Sequence, residues 1–118
     1  MNIKVGYKNY TIKAENEVFT DDRSECYGEI SYDQETIRIA TKFSKNLQNE
    51  ALIHEIVHAI ADKYQLDINK DERTIDLLAA GIYELILDNT EQVKSFIEEV
   101  AYMKNENKEK VYGRNDEW

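Results

Sequence analysis

The segment Leu52-Ile53-His54-Glu55-Ile56-Val57-His58-Ala59-Ile60 decides the organisation of this chain of 118 residues. It contains both histidines of the sequence, and an acidic residue directly follows the first one. In a helix, residues four apart lie on one face, with their Cβ atoms about 5–6 Å apart. We therefore expect His54 and His58 to lie close enough to bind one ion together.

This spacing, H-E-x-x-H, is the arrangement of a zinc hydrolase. Two neutral imidazoles bind zinc at about 2.0–2.1 Å and leave positions for a third protein ligand and a water. Zinc lowers the pKa of that water to about 7, so Glu55 can take its proton as a general base and deliver it to a leaving amine. The alternative interpretation is that the three residues are ordinary positions on an amphipathic helix.

Composition indicates one globular domain that binds no nucleic acid. Charged residues make up 33% of the chain and hydrophobic residues 42%, a balance typical of folded proteins. The net charge of −9 disfavours binding to phosphate backbones, which need clustered Lys and Arg. Because no apolar run approaches a membrane span and no signal-peptide core is present, we expect no membrane partner and a cytoplasmic location. The single cysteine, Cys26, is interpreted as an ordinary thiol.

Alternating apolar and polar residues predict two β-hairpins that form a small antiparallel sheet. Residues 2–14 alternate around the polar pair Lys8-Asn9, which indicates the first hairpin. Residues 28–32 and 36–41 form the second, with a turn at Asp33-Gln34-Glu35 and one apolar face.

About three helices are expected to cover that face. The first begins after the N-cap Ser44, runs to about Tyr64 and contains the histidine motif, with Glu55 toward the side away from the apolar stripe. The second spans about residues 71–88, and the third follows a capping pair of Asn89 and Gln92. Three apolar stripes at helical spacing are interpreted as core: Ile53, Ile56, Val57, Ile60 and Tyr64; Ile75, Leu78, Ala79, Ile82, Leu85 and Ile86; and Val93, Phe96, Ile97, Val100 and Met103.

The predicted fold is therefore an α+β domain over residues 1–104, a small antiparallel sheet of two hairpins packed against about three helices. Residues 105–118 are charged and aperiodic, and we predict a disordered tail there.

The third metal ligand has to be a carboxylate, because the sequence has no further histidine and no suitably spaced cysteine. Glu72 and Asp76 begin the second predicted helix and share one of its faces. Glu72 is the first choice, because it lies in the first turn and its side chain is longer. Asp76 is the alternative ligand, or an acceptor that holds the N–H of His54 or His58.

The pattern resembles the zincin metallopeptidases of the small His-His-Glu kind, on the motif His54–His58 and the later segment from Glu72 to Ala79. It is also similar to short single-domain zincin-like proteins encoded in phages and prophages, across about residues 28–89, and more distantly to the ImmA/IrrE-type peptidases. The resemblance implies a minimal zincin-like fold, Zn²⁺ at His54, His58 and Glu72, and Glu55 as general base. It also implies that the strand before the motif helix, here residues 37–41, lines a substrate cleft and pairs with an extended peptide.

The leading hypothesis is thus a zinc-dependent endopeptidase that hydrolyses peptide bonds of a protein or peptide substrate. Such peptidases use a further side chain to stabilise the oxyanion; Tyr27, Tyr32 and Tyr83 are available, and none is assigned. A second hypothesis is a catalytically inactive, metal-stabilised interaction module of phage or prophage origin. A third is a structural protein whose histidines are merely helix residues. The sequence predicts no oligomeric state.

Overall fold

The computed structural model describes residues 1–106 and has the predicted α+β architecture. The chain divides into two compact units, Met1–Glu84 and Leu85–Trp118. The predicted single domain over residues 1–104 stays a prediction, and residues 107–118 of the predicted tail lie outside the described residues. The elements are β1 (Asn2–Val5), β2 (Lys8–Glu15), β3 (Val18–Phe19), β4 (Glu25–Cys26), β5 (Gly28–Ser31), β6 (Thr36–Ala40), α1 (Lys45–Tyr64), a short 3-10 helix (Asp67–Lys70), α2 (Glu72–Asp88) and α3 (Thr90–Glu106).

The main sheet has four strands in the order β1-β2-β6-β5, and a second sheet consists of β3 and β4. Both predicted hairpins are confirmed, as β1–β2 and β5–β6. The sheet is mixed rather than antiparallel, because β2 and β6 pair in parallel. In this register Ile12 lies beside Ile37 and Ala14 beside Ile39, so the apolar residues of the two hairpins form one face.

The turn of the first hairpin lies at Gly6-Tyr7, two residues before the predicted position. Gly6 has a positive φ of 64°, a conformation that glycine adopts without the strain of a side chain. Lys8 and Asn9, predicted to be the turn, begin β2 instead. Alternation located the hairpin, whereas the backbone requirement of the turn decided its register.

Helix α1 has the predicted bounds. The Ser44 hydroxyl accepts a hydrogen bond from the N–H of Leu47 at 3.2 Å, as expected for an N-cap. At the other end, Gln65 adopts the left-handed conformation, with φ 53°, and its N–H donates to the carbonyl of Asp62 at 3.2 Å. The predicted start after Ser44 and the predicted end near Tyr64 are therefore both confirmed.

The face of α1 that contacts the sheet overlaps the predicted stripe only in part, since Val57 is buried and Ile56 packs against the core. Ala51 and Ala59 pack into the core with Tyr10, Ile37 and Ile39. Small side chains at these two positions let the helix axis approach the strands closely. The predicted stripe residues Ile60 and Tyr64 are 41% and 50% exposed instead.

Glu55 lies on the sheet-facing side of α1, four residues from both Ala51 and Ala59. It is 6% exposed, so its predicted place toward the side away from the core is wrong. Gly28 of β5 packs beside it: a Cβ atom at Gly28 would lie 3.5 Å from Cγ of Glu55 and 3.1 Å from the carbonyl oxygen of Arg38. A Cβ at Gly28 would therefore press on the carbonyl of Arg38, while its contact with Glu55 would have an ordinary van der Waals distance.

Helix α2 confirms the predicted second helix, but only Ile75 and Ala79 of its predicted stripe are buried. Leu78 and Ile82 are 43% and 39% exposed. Between α1 and α2, residues 67–70 form the short 3-10 helix. Helical periodicity predicts an amphipathic helix correctly, but burial also needs a neighbouring surface.

The second unit contains the end of α2 and helix α3. None of the α3 residues is buried, so the predicted core stripe of this helix is wrong; Phe96 and Ile97, for example, are 65% and 59% exposed. Asn89 was predicted to cap α3, but its side-chain N–H donates to the carbonyl of Leu85 at 2.9 Å and so bonds to the preceding helix turn.

Across residues 1–106, no helix is both long and apolar enough to cross a membrane.

We predict that Tyr10 makes folding stability depend on pH in the alkaline range. This core side chain has a pKa raised from 10.0 to about 12, mainly by burial and further by the charge of Asp62. The folded protein then holds the phenol proton more tightly than the unfolded chain does, so the free energy of unfolding should be unaffected below pH 10 and fall between pH 10 and 12. In Tyr10→Phe, the free energy of unfolding should decrease by roughly 2 kcal/mol less over this pH range than in wild type.

Urea unfolding of wild type and Tyr10→Phe at about pH 8 and about pH 11.5 measures this difference. Tyr7→Phe is the control, because Tyr7 is 100% exposed and should titrate alike in both states. An identical alkaline loss in wild type and Tyr10→Phe would contradict the prediction.

Candidate metal centre

Helices α1 and α2 bring together the three residues that the sequence selected as metal ligands. Nε2 of His58 lies 2.8 Å from Oε1 of Glu72, and Nε2 of His54 lies 3.2 Å from Oε2 of the same carboxylate. One ligand atom from each residue can be chosen so that all three lie within 4.8 Å of one another. His54, His58 and Glu72 therefore form a group that can hold a metal ion.

The other nitrogen of each imidazole also has a polar partner. Nδ1 of His54 lies 2.9 Å from Oδ1 of Asp76, and Nδ1 of His58 lies 2.6 Å from Oδ1 of Asn69. The side-chain N–H of Asn69 in turn donates to the Tyr32 hydroxyl at 3.3 Å. Partners of this kind fix the orientation of metal-binding imidazoles. Of the two roles considered for Asp76, the geometry favours that of an acceptor for His54.

The proton count of this group suits a bound cation. A neutral imidazole has one N–H, yet both nitrogens of each ring face oxygen atoms. When Nδ1–H donates to Asp76 or Asn69, the lone pair of Nε2 points at the negative carboxylate of Glu72. A positive ion between these atoms removes that repulsion. Ligands about 2.0–2.1 Å from a tetrahedral zinc lie about 3.4 Å apart, a separation within the 4.8 Å that the three ligand atoms span.

Glu55 supplies a buried carboxyl group beside the metal-binding residues. Its Oε1 lies 3.9 Å from Nε2 of His54. Its Oε2 is buried and has no hydrogen-bond partner within residues 1–106. Burial first, and then the negative charges of Glu72, Glu29 and Asp76, raise the pKa of Glu55 from 4.5 to about 8. This carboxyl group therefore has an oxygen free for a bound ligand and an affinity for protons suited to neutral pH.

A cavity of about 820 Å³ opens onto the metal-binding residues. Its wall includes Glu55 and residues of α1, α2 and β5, and both Tyr27 and Tyr32. The resemblance implied that residues 37–41 line the cleft as an edge strand. That strand, β6, lies between β2 and β5, so the prediction is wrong, and the edge strand on the cavity wall is β5.

Within residues 1–106, the free edge of β5 carries main-chain groups of Ile30 that pair with no other strand. The carbonyl of Tyr27 accepts from the N–H of Ala40 at 2.9 Å, which makes these two residues a hydrogen-bonded antiparallel pair. Because such pairs alternate along a ladder, Ile30, opposite Ile37, is a non-hydrogen-bonded position. Its N–H and C=O therefore point away from β6, toward the open edge.

Three other residues named in the sequence analysis, Tyr83, Tyr27 and Cys26, lie outside the metal-binding group. Tyr83 donates from its hydroxyl to Asn46 at 2.6 Å and is absent from the cavity wall. Tyr27 packs edge-on against Phe43, with ring centroids 4.6 Å apart. Cys26 is half-buried, and burial raises the pKa of its thiol, so the group stays protonated and agrees with its interpretation as an ordinary thiol.

Asn69 is the site residue that sequence reasoning missed. It is an amide side chain on the short 3-10 helix between His58 and Glu72. Its position in the connection between two ligand-bearing helices was the available signal. The sequence alone does not indicate which imidazole the Asn69 side chain contacts.

We predict that Asn69→Ala weakens metal binding by about tenfold or more, because loss of a partner that orients a ligand typically has this effect. Asn69→Asp keeps an oxygen acceptor for His58 and should bind metal nearly as well as wild type. Competition between each purified protein and a chromophoric zinc chelator gives the affinities. Equal affinity for wild type and Asn69→Ala would refute an orienting role for this residue.

Comparisons with known proteins leave the interpretation of the site to its geometry. Neither a scan of protein-family models nor searches of curated proteins and solved structures found a match to this chain.

Proposed function

We propose that this protein is a zinc-dependent metallopeptidase that cleaves internal peptide bonds. One observation carries the proposal: both Nε2 atoms, the Glu72 carboxylate and the unpartnered oxygen of Glu55 meet at the wall of one cavity. Structural zinc sites use four protein ligands, whereas catalytic sites use three and leave a position open. Three candidate ligands with a fourth, non-ligand carboxylate beside them favour a catalytic site.

Zinc is the proposed ion because two imidazoles and one carboxylate are a ligand set of catalytic zinc sites. His54, His58 and Glu72 would hold it, with Asp76 and Asn69 orienting the two rings. When bound, the ion supplies Lewis acidity and makes water acidic enough to lose a proton near neutral pH.

Glu55 is the proposed general base. Its free oxygen would accept the proton of the attacking water, and the carboxylic acid so formed would donate that proton to the amine of the leaving peptide. The burial of Glu55 beside the ligands supports this role.

Strand β5 is the proposed binding edge for the substrate backbone. The N–H and C=O of Ile30 face outward, and an extended peptide can add to such an edge through main-chain hydrogen bonds. This binding would run the peptide along the cavity wall, past Glu55. A cytoplasmic location, a phage or prophage origin and membership of the zincin-like peptidases remain parts of this proposal.

We predict that protein purified without chelators contains about one zinc ion per chain, measured by elemental analysis. Glu55→Gln should keep the zinc and lose peptidase activity by about 10²–10⁴-fold, because the amide cannot take a proton from water. Cleavage of a broad peptide library, read by mass spectrometry, measures activity. Glu84→Gln is the matched control, since Glu84 is exposed and absent from the cavity wall.

Two results would overturn this prediction. Wild-type protein without bound zinc would contradict the metal site. Zinc-loaded protein that cleaves no peptide would contradict the peptidase function and favour an interaction module stabilised by metal.

The exposed apolar side chains of α3, such as Phe96 and Tyr102 at 65% and 67%, favour that second candidate, because large exposed apolar surfaces commonly mark contact sites.

We also predict that metal binding stabilises the fold. Removal of zinc with a chelator should lower the melting temperature, since a ligand present at 100 times its Kd stabilises the native state by about 2.7 kcal/mol. His54→Ala should melt at one temperature with or without chelator. If the melting temperature of wild type does not respond to the chelator, the histidines are ordinary helix residues.

A further inference from the structure

The cavity beside the metal-binding residues extends along α1 and α2 toward the beginning of α1. His58 and His54 contact the start of α2, while Asn49 and Asn46 contact Tyr83 near its end. The two helices are therefore antiparallel here. The stretch between these contacts contributes Leu47, Glu50, Ala51, Leu77 and Ala80 to the cavity wall.

The charges of this wall have one sign. Within residues 1–106, it includes no lysine or arginine, and it includes five carboxylates: Glu29, Glu50, Glu55, Glu72 and Asp76. Glu29 is bound to Arg38, and the carboxylates of Glu72 and Asp76 contact the imidazoles. Glu50 is half-buried and, among the described residues, has no ion-pair partner. Glu55 lies beside the metal-binding residues, so, of the residues described, Glu50 carries the one carboxylate of the wall that is neither paired nor next to the metal-binding group.

The same cavity contains a buried polar atom that a ligand would satisfy. Glu55 lies in the same wall, its side chain is 7% exposed, and its Oε2 has no hydrogen-bond partner in the described part of the chain. A buried oxygen of this kind is normally satisfied, so an unpartnered one indicates a group supplied from outside. Glu50 precedes His54 by one helix turn, so a substrate side chain bound at Glu50 would lie beside the metal-binding residues in the same cavity.

We propose that the stretch of cavity at Glu50 is a specificity subsite that takes a lysine or arginine side chain of the substrate peptide. The apolar stem of that side chain packs along Leu47, Ala51 and Ala80, and its charged end reaches the Glu50 carboxylate. This division of one long side chain matches the stretch at Glu50, where the other wall residues, Leu47, Ala51, Leu77 and Ala80, are apolar. A bound divalent cation adds positive charge at Glu72, and it leaves the charge of Glu50 uncompensated. The inference rests on the proposed function and names the substrate class of the same site.

The first test compares cleavage by wild type, Glu50→Gln, Glu50→Lys and the control Glu84→Gln. The substrates are decapeptides that carry Lys, Arg, norleucine, Gln or Glu at each position in turn. Wild type and control should prefer Lys or Arg at one position near the cut. Glu50→Gln should lose about tenfold or more in kcat/KM for those peptides, since hydrogen bonds to charged groups contribute this much, and should leave the norleucine peptides unchanged. Glu50→Lys should prefer Glu at that position.

A binding test keeps the inference separate from the proposed function. Zinc-loaded Glu55→Gln, which should bind peptides without cutting them, is titrated with fluorescent forms of the same peptides. Tighter binding of Lys or Arg over norleucine, lost when Glu50→Gln is added, supports the subsite even if wild type cleaves nothing. Equal binding of all peptides, or binding of none, overturns it, as does cleavage without a basic preference. If wild type cleaves no peptide but Lys or Arg peptides still bind more tightly, only the peptidase function is overturned.

Discussion

The close contact between α1 and the sheet is the constraint on which the rest of the first unit depends. Two alanines, Ala51 and Ala59, bring the helix axis near the strands, and Tyr10, Ile37 and Ile39 fill the space between them. Glu55 lies between the alanines on the same face, so the packing that forms the core also buries the carboxyl group. Gly28 completes the arrangement, because any side chain there would press on the carbonyl of Arg38.

Burial of Glu55 has a direct chemical consequence. A carboxylate in water has a pKa near 4.5, whereas desolvation and the neighbouring acids raise the pKa of this group to about 8. The energy needed to bury it comes from the apolar contacts around it. The core therefore sets the proton affinity of the group, and the position of α1 on the sheet sets its distance from His54.

Helix α2 completes the metal-binding group through polar contacts rather than a large apolar interface. Only Ile75 and Ala79 of this helix are buried, while Glu72 and Asp76 contact the imidazoles and Tyr83 contacts Asn46 and Asn49. Asn69, on the connection between the helices, links His58 to Tyr32 at the end of β5. The sheet, the connection that contains Asn69 and both helices are therefore linked through the imidazole rings of His54 and His58.

By itself, the sequence determined the features that depend on neighbours along the chain. The bounds of α1, the two hairpins and the shared face of His54 and His58 follow from capping residues, alternation and helical spacing, which act over a few residues. The choice of Glu72 over Asp76 also agrees with the cluster, because the longer side chain in the first turn reaches both Nε2 atoms. Only the tertiary structure decided which face of α1 is buried, that β2 and β6 pair in parallel, that β5 rather than β6 is the edge strand, and that α3 exposes its apolar stripe. Those outcomes depend on which distant surfaces meet, and periodicity along the chain contains no information about the partner of an apolar face.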